Sequence, residues 1–347
     1  MAARLSPNDP VSDTALVREL CAAVADLGAM PSHGERLWAS LRLMLLTAVL
    51  LCAAWLYWVL PLGAAAISAV LLAGVAYGLV LIATHEMVHG TLLGVPRLEQ
   101  PLACLLSWPM AWPYLTYARL HRLHHRWNAT DARDPERTTP LPQELEAAGR
   151  WRRLLQRHPL LVRPLLLGGV GLILDTARKG RQLQVVDRAL VRACNLDGAG
   201  VLLLHSALLV LAISQGVLVR YLLFWLLLER VIGAIVQFRG LVEHHGLWQA
   251  QGSHLITQLS GSRSITSGRW LNAVMGGLPH HSVHHAFPSI PTARLPQASQ
   301  RIAAVLQRHG APALPQLSSY GQALTMLWHG AHLLATNHQK QAAKGCL

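Results

Sequence analysis

Residues 37–89 read LWASLRLMLLTAVLLCAAWLYWVLPLGAAAISAVLLAGVAYGLVLIATHEMVH, and the fold follows from this stretch. Leu37 to Leu60 is almost wholly apolar, interrupted near its start by Ser40 and Arg42. Pro61-Leu62-Gly63 makes a turn, and Ala64 to Thr84 is a second apolar run. Each run has the roughly 20 residues that a helix needs to cross a bilayer. The pair is therefore read as a transmembrane hairpin. Its turn holds no Lys or Arg while Arg36 and Arg42 precede it, so the turn faces outward and both ends face inward.

A second hairpin of the same kind is predicted from Gly198 to Ile213, a turn at Ser214-Gln215-Gly216, and Val217 to Phe238. This turn also lacks Lys and Arg, with Arg220 close by, and Glu229-Arg230 interrupts the last run. Ionisable groups at membrane depth either mark function or pair locally. Thirty-one residues (90–120) separate His89 from His121, fewer than the roughly 40 needed to cross out and back. Leu92 to Tyr117, broken by Pro96, Pro101, Pro109 and Pro113, is therefore expected to be re-entrant or interfacial. The polar stretch 126–153 reads as a cytosolic loop, and Leu160 to Leu174 as a short segment along the interface. Leu16, Leu20, Val24 and Leu27 give residues 12–30 helical spacing. The expected fold is an all-α membrane protein: four spans, re-entrant or interfacial helices and a cytosolic helical cap. The domain reading is 1–36 as an N-terminal amphipathic segment, 37–300 as the membrane catalytic unit and 301–347 as a cytosolic helical tail.

Composition agrees. Of 347 residues 52% are hydrophobic and 14% charged, against roughly 25% charged in a soluble domain. That excludes a disordered chain, a disulfide scaffold and a collagen-like repeat. The five cysteines (Cys21, Cys52, Cys104, Cys194, Cys346) are odd in number and lack CxxC spacing, which fits a reduced cytosolic face. The first 35 residues carry Asp9, Asp13, Glu19, Asp26 and Glu35 and no early apolar run, so no cleavable signal peptide is expected. The net charge of +13 comes from arginines dispersed through loops and not interleaved with aromatics, so positive loops explain it better than nucleic acid does.

The 19 histidines are the anomaly. Eleven fall into four clusters: His85-Glu86-Met87-Val88-His89, His121-Arg122-Leu123-His124-His125, Glu243-His244-His245 and His280-His281-Ser282-Val283-His284-His285. His205 and the scattered His33, His158, His254, His309, His329, His332 and His338 read as packing or surface residues. On a helix, His at i and i+4 project from one face, and HxxHH presents three imidazoles in one turn. Two such boxes, an HxxxH pair and one further His total nine ligands, more than one metal can use. That number suits two metals sharing a pocket, and an almost all-nitrogen site without Cys fits non-haem iron. The hairpins, drawn from apolar runs alone, place all four clusters on one membrane face.

His85 to His89 also matches HExxH, in which two His bind zinc and the Glu acts as base. Asn195-Leu196-Asp197-Gly198 is similar to the Leu-Asp-Gly segment of intramembrane metalloproteases. Against this rival, a zinc peptidase needs three protein ligands and has no use for six further clustered His. Its motif also belongs deeper within a span. A transporter fits least, because its ligands belong near mid-membrane.

Gly276-Gly277-Leu278-Pro279-His280-His281-Ser282-Val283-His284-His285-Ala286-Phe287-Pro288, followed by Ile290-Pro291 and Leu295-Pro296, resembles the GGLNYHxEHHLFPxxPxxxLP segment of the integral-membrane fatty acid desaturase and hydroxylase superfamily. His121 to His125 with Asp134-Pro135 downstream is similar to that family's second box, and His85 to His89 to its first. The resemblance covers roughly residues 40–300. It implies a di-iron site at His85, His89, His121, His124, His125, His244, His281, His284 and His285, with His245 as the alternative to His244. It further implies O2 as co-substrate, a separate ferredoxin- or cytochrome-type electron donor, and a narrow channel for an acyl chain on CoA, a carrier protein or a lipid. The protein would sit in the membrane, the inner one in a bacterium, with its site facing the cytosol. Basic loops such as Arg152-Arg153 and Arg178-Lys179 suit an acidic donor or lipid head groups. Two departures stand out. His280 and Val283 replace the family's Tyr and Glu in the last box, the Glu being a residue that would orient imidazoles. Glu86 stands where many desaturases have Asp, a feature shared with some hydroxylases, which keeps hydroxylation or ketolation as the alternative reaction.

Overall fold

The computed structural model describes residues 10–28, 30–150, 156 and 158–328. His329, His332, His338, Cys346, the tail beyond Trp328 and Arg152-Arg153 lie outside them. Among the described residues the secondary structure is helical apart from one two-residue parallel pairing, Ser264–Ile265 with Gln316–Leu317. The helices are α1 (Pro10–Val24), α2 (His33–Val59), α3 (Ala64–Val88), α4 (Pro96–Ser107), α5 (Tyr114–Trp127), α6 (Pro142–Glu146), α7 (Gly168–Gln182), α8 (Ala189–Ser214), α9 (Leu218–His244), α10 (His254–Ser260), α11 (Arg269–Val274), α12 (His281–Ala286) and α13 (Leu295–Arg308).

Three helices, α2, α3 and α8, are long and apolar enough to cross a membrane. The 27 residues of α9 match α2 in length but carry Arg220, Glu229, Arg230, Arg239 and Glu243. The start of α2 is fixed by a capping box, in which Ser32 Oγ accepts from Glu35 N while Glu35 accepts from Ser32 N. Arg220 donates to the carbonyls of Tyr57 and Leu60 at the other end of that helix. This use accounts for a cation on the uncharged-turn side. The amphipathic stripe of α1 packs on α13, where Leu20, Val24 and Leu27 join Leu295, Ile302 and Val305 in one core.

In two places the structure adds to the sequence expectation or departs from it. The predicted interfacial stretch 160–174 is a π-helical turn (Leu161–Leu167) that breaks at Gly168 and continues as α7, packed on α9. Gly168 has φ +55°, and at Gly233 a Cβ would stand 1.8 Å from Gly169 N, so the two backbones touch. Glu229 and Arg230 supply the polar ends of this break. Glu229 Oε2 accepts from Gly169 N (2.9 Å) and Val170 N (3.1 Å), while Arg230 donates to the carbonyls of Leu165, Leu166 and Leu167. The charges thus satisfy amides at one helix start and carbonyls at one helix end. The second difference is that α8 and α9 barely touch beyond their turn: α9 packs on α3 and α7, and α8 on α5.

Candidate metal centre

The four histidine clusters converge. His85, His89, His121, His125 and His284 form one group, and His124, His244 and His285 a second; within each, one ring nitrogen per residue lies within 4.8 Å of every other. His281 joins the second group through His244, with Nε2 atoms 3.0 Å apart, and Glu243 completes a third overlapping triplet with these two. The two main groups adjoin, since the rings of His125 and His285 stack at 4.3 Å. His245 and His280 are left out. His245 is the extended residue that ends α9, while His244 still lies on its helical face.

The helices that deliver these rings are held by long-range polar anchors. Glu86 is turned away from the histidine groups. It pairs with Arg42 on α2 and accepts from Thr292 Oγ1 at 2.5 Å, tying the first box to the segment after the last. Gly276 and Gly277 leave room for this clamp. They have φ of +67° and +88°, and Cβ atoms there would stand 1.9 Å from Arg42 Nη1 and 2.0 Å from Thr292 O. Asp197 fixes the start of α5. It accepts from Thr116 N (2.7 Å), Thr116 Oγ1 (2.8 Å), Leu115 N (3.2 Å) and Trp108 Nε1 (3.0 Å), so it caps otherwise unsatisfied amides of the second-box helix. Both acidic residues of the rival zinc-peptidase reading are engaged in these structural contacts. The last box is pinned by Ser282, whose Oγ donates to Ser262 O at 2.9 Å and whose N donates to Ser264 Oγ at 3.2 Å.

Two carboxylates and one amide orient individual rings. His121 Nδ1 lies 2.7 Å from Glu136 Oε1, His124 Nδ1 2.8 Å from Asp134 Oδ1, and His285 Nδ1 3.2 Å from Gln258 Oε1. A hydrogen bond from Nδ1 leaves the Nε2 lone pair free to bind a metal. Burial and then the neighbouring imidazoles push His125, His281, His284 and His285 well below the usual histidine range, so these rings are neutral. Burial also acts on His124, but Asp134 and Glu136 outweigh it and raise the ring to about 8. Val283, which stands where the resemblance has a glutamate in the last box, is fully buried in the α1–α13 core. Sequence reading missed Glu136 and Gln258, and gave Glu243 only as the neighbour of His244. Only Glu136 had a local signal, two residues beyond Asp134.

The fit to metal rests on orphaned nitrogens. Both ring nitrogens of His85 and His284, and Nε2 of His89, His124 and His285, are buried without a protein hydrogen-bond partner. An unsatisfied buried polar group costs about 1–3 kcal/mol, and such a concentration in one place calls for an ion. Beside the cluster, a narrow cavity of about 160 Å³ runs between α3, α5, α7 and α9. Ile232, Val236, Gly240 and His244 line it at four-residue intervals along one face of α9, about 18 Å of helix rise. Leu81, Ile82, Leu172 and Ile173 make much of the facing walls apolar. Glu136, Arg163, Asp175, Lys179, Arg239 and Glu243 add charged groups to the lining, and His85, His121 and His281 belong to it as well.

None of the curated proteins matches this chain. The family model for fatty acid desaturases matches residues 62–316, from the turn before α3 through all four histidine clusters. The chain therefore belongs to the membrane fatty acid desaturase and hydroxylase superfamily.

Proposed function

We propose that this chain is an O2-dependent, di-iron membrane oxidoreductase that introduces a double bond into a fatty acyl chain. One observation carries the reading: orphaned ring nitrogens gathered in two adjoining groups beside a mostly apolar cavity. His85, His89, His121, His125 and His284 would hold one metal, and His124, His244, His281 and His285 the other. Iron bound there supplies O2 activation and removal of hydrogen from an unactivated C–H bond. Desaturating one CH2–CH2 unit consumes one O2, two electrons and two protons, and releases two waters. The electrons come from a separate ferredoxin- or cytochrome-type protein. The chain's own residues do the rest. Ile232, Val236, Leu172 and Ile173 exclude water and hold a hydrocarbon against His85 and His121, while Asp134, Glu136 and Gln258 keep the imidazoles aimed.

The membrane arrangement belongs to the same proposal. Helices α2, α3, α8 and α9 are the four spans, and their histidine-bearing ends with the 254–308 cap face the cytosol. Residues 37–300 form the catalytic unit, flanked by 1–36 and 301–347. Hydroxylation or ketolation is the alternative on this scaffold. Glu86, the feature shared with some hydroxylases, contacts Arg42 and Thr292, so it bears on helix position more than on reaction type.

Expression with a matched electron donor, followed by mass spectrometry of total lipids, tests the reaction. New double bonds are expected, and their loss in His284→Ala. New hydroxyl or keto groups would replace desaturation with the alternative.

A further inference from the structure

A second cavity reaches the histidines from a different side. It measures about 860 Å³ and opens between α5, the start of α8 and the Pro288-Ser289 turn. Its charged lining is basic: Arg119 and Arg122 on α5 and Arg192 on α8, with no carboxylate among its described lining residues. All three arginines are exposed. On α5, Arg119, Arg122 and Arg126 recur at i, i+3 and i+7, on the face opposite His121, His124 and His125. Their engagements are few. Arg119 stands 3.6 Å from Asp187, Arg122 donates to Val88 O at 3.0 Å, and Arg192 forms no ion pair among the described residues.

Met87, Val88, His89 and Gly90 at the end of α3 also line this cavity. His89 is the single partly exposed ring of the nine; the other eight are buried. Its ring centroid lies 4.8 Å from those of His125 and His284, so whatever touches His89 in the groove adjoins the five-histidine group. Basic residues at a membrane face also meet lipid phosphates, but a lipid contact gives no reason for a groove that includes His89 in its lining.

We propose that this groove is the docking surface for a small acidic one-electron carrier protein, with His89 as the point where electrons enter the cluster. The proposal rests on the oxygen-dependent reading above, which needs two electrons per turnover, delivered one at a time. Arginines on two packed helices steer an acidic partner, and the cavity brings its redox group toward His89.

Full-length protein in nanodiscs of neutral lipid tests this by biolayer interferometry against an acidic plant-type [2Fe–2S] ferredoxin and the soluble domain of cytochrome b5. Binding of at least one carrier is expected, weakening steeply as salt shortens the screening length. The double variant R119E/R192E should bind that carrier at least about tenfold more weakly, with iron per chain equal to the parent. Charge reversal elsewhere, R18E/R269E, should leave binding within about twofold. Failure of both carriers to bind at low salt overturns the proposal. So does unchanged carrier binding by R119E/R192E with weaker retention on phosphatidylglycerol vesicles, which would make the groove a lipid contact. The two readings separate cleanly. Arginine-dependent carrier binding in a protein that forms no oxidised lipid sinks the desaturase reading alone. Oxidised lipid with carrier binding indifferent to these arginines sinks the docking surface alone.

Discussion

Helices α2 and α3 lie against each other from the Pro61–Gly63 turn to the histidines, whereas α8 and α9 part soon after the Ser214–Gly216 turn. The closed pair is closed by small residues. Ala66, Ala69 and Ala73 share a core with Ala53 and Tyr57 of α2, Gly74 and Gly78 let Val231 and Ile235 of α9 approach α3, and 61% of its apolar window is buried, against 17% for α2. In the open pair, each arm has a polar anchor to something else. Glu229, Arg230 and Gly233 hold α9 to the break at Gly168, while Asp197 and His205, whose Nε2 lies 3.0 Å from Trp108 O, hold α8 to the segment around α5. Only 11% of the α8 window is buried. An apolar run and a turn specify length and connection; small residues and polar anchors specify the partner. The opening between the arms admits α7 and with it one wall of the apolar cavity.

That contrast can be broken most severely at Gly233. A valine there drives its Cβ into the backbone of Gly169, which no side-chain rotation relieves, so a loss of about 4 kcal/mol or more is expected. On the side of α3 that meets α9, Gly74→Ala runs into the Val231 side chain at 2.6 Å and should cost less, about 1–3 kcal/mol. Thermal unfolding in detergent ranks the two, and the reverse order would contradict the backbone contact. Glu229→Ala falls between these two. It strands Arg230 beside a helix break that has lost its acceptor, with about 3–5 kcal/mol lost. A smaller and more local effect is expected from Asp197→Asn, about 1–2 kcal/mol. Because Asp197 holds the start of α5, this variant should also lower iron per chain, and unaltered metal content would detach that anchor from the centre.

Much of this was legible in the sequence. Apolar runs of spanning length gave α2, α3, α8 and most of α9, and HxxxH and HxxHH spacing gave eight of the nine converging rings, because both signals are local. The ninth, His244, needed the exact end of α9 to separate it from His245. The open helical pair was not legible, since the contact of Gly233 with Gly169 joins residues 64 apart in a chain with 27 glycines. Arg42 and Glu86 were each visible as ionisable residues beside an apolar run, yet their pairing spans 44 residues. Gln258 left no trace, being one polar residue in a polar segment until the fold sets it against His285.

The central claim is that nine histidines hold two metals. Metal analysis of the purified, iron-supplied protein, with His284→Ala and His124→Ala beside it, tests this most directly. Two iron atoms per chain are expected, falling to about one or fewer in each variant, since each removes a ring from a different group. One zinc per chain with no iron, or two irons undisturbed by both substitutions, would contradict it.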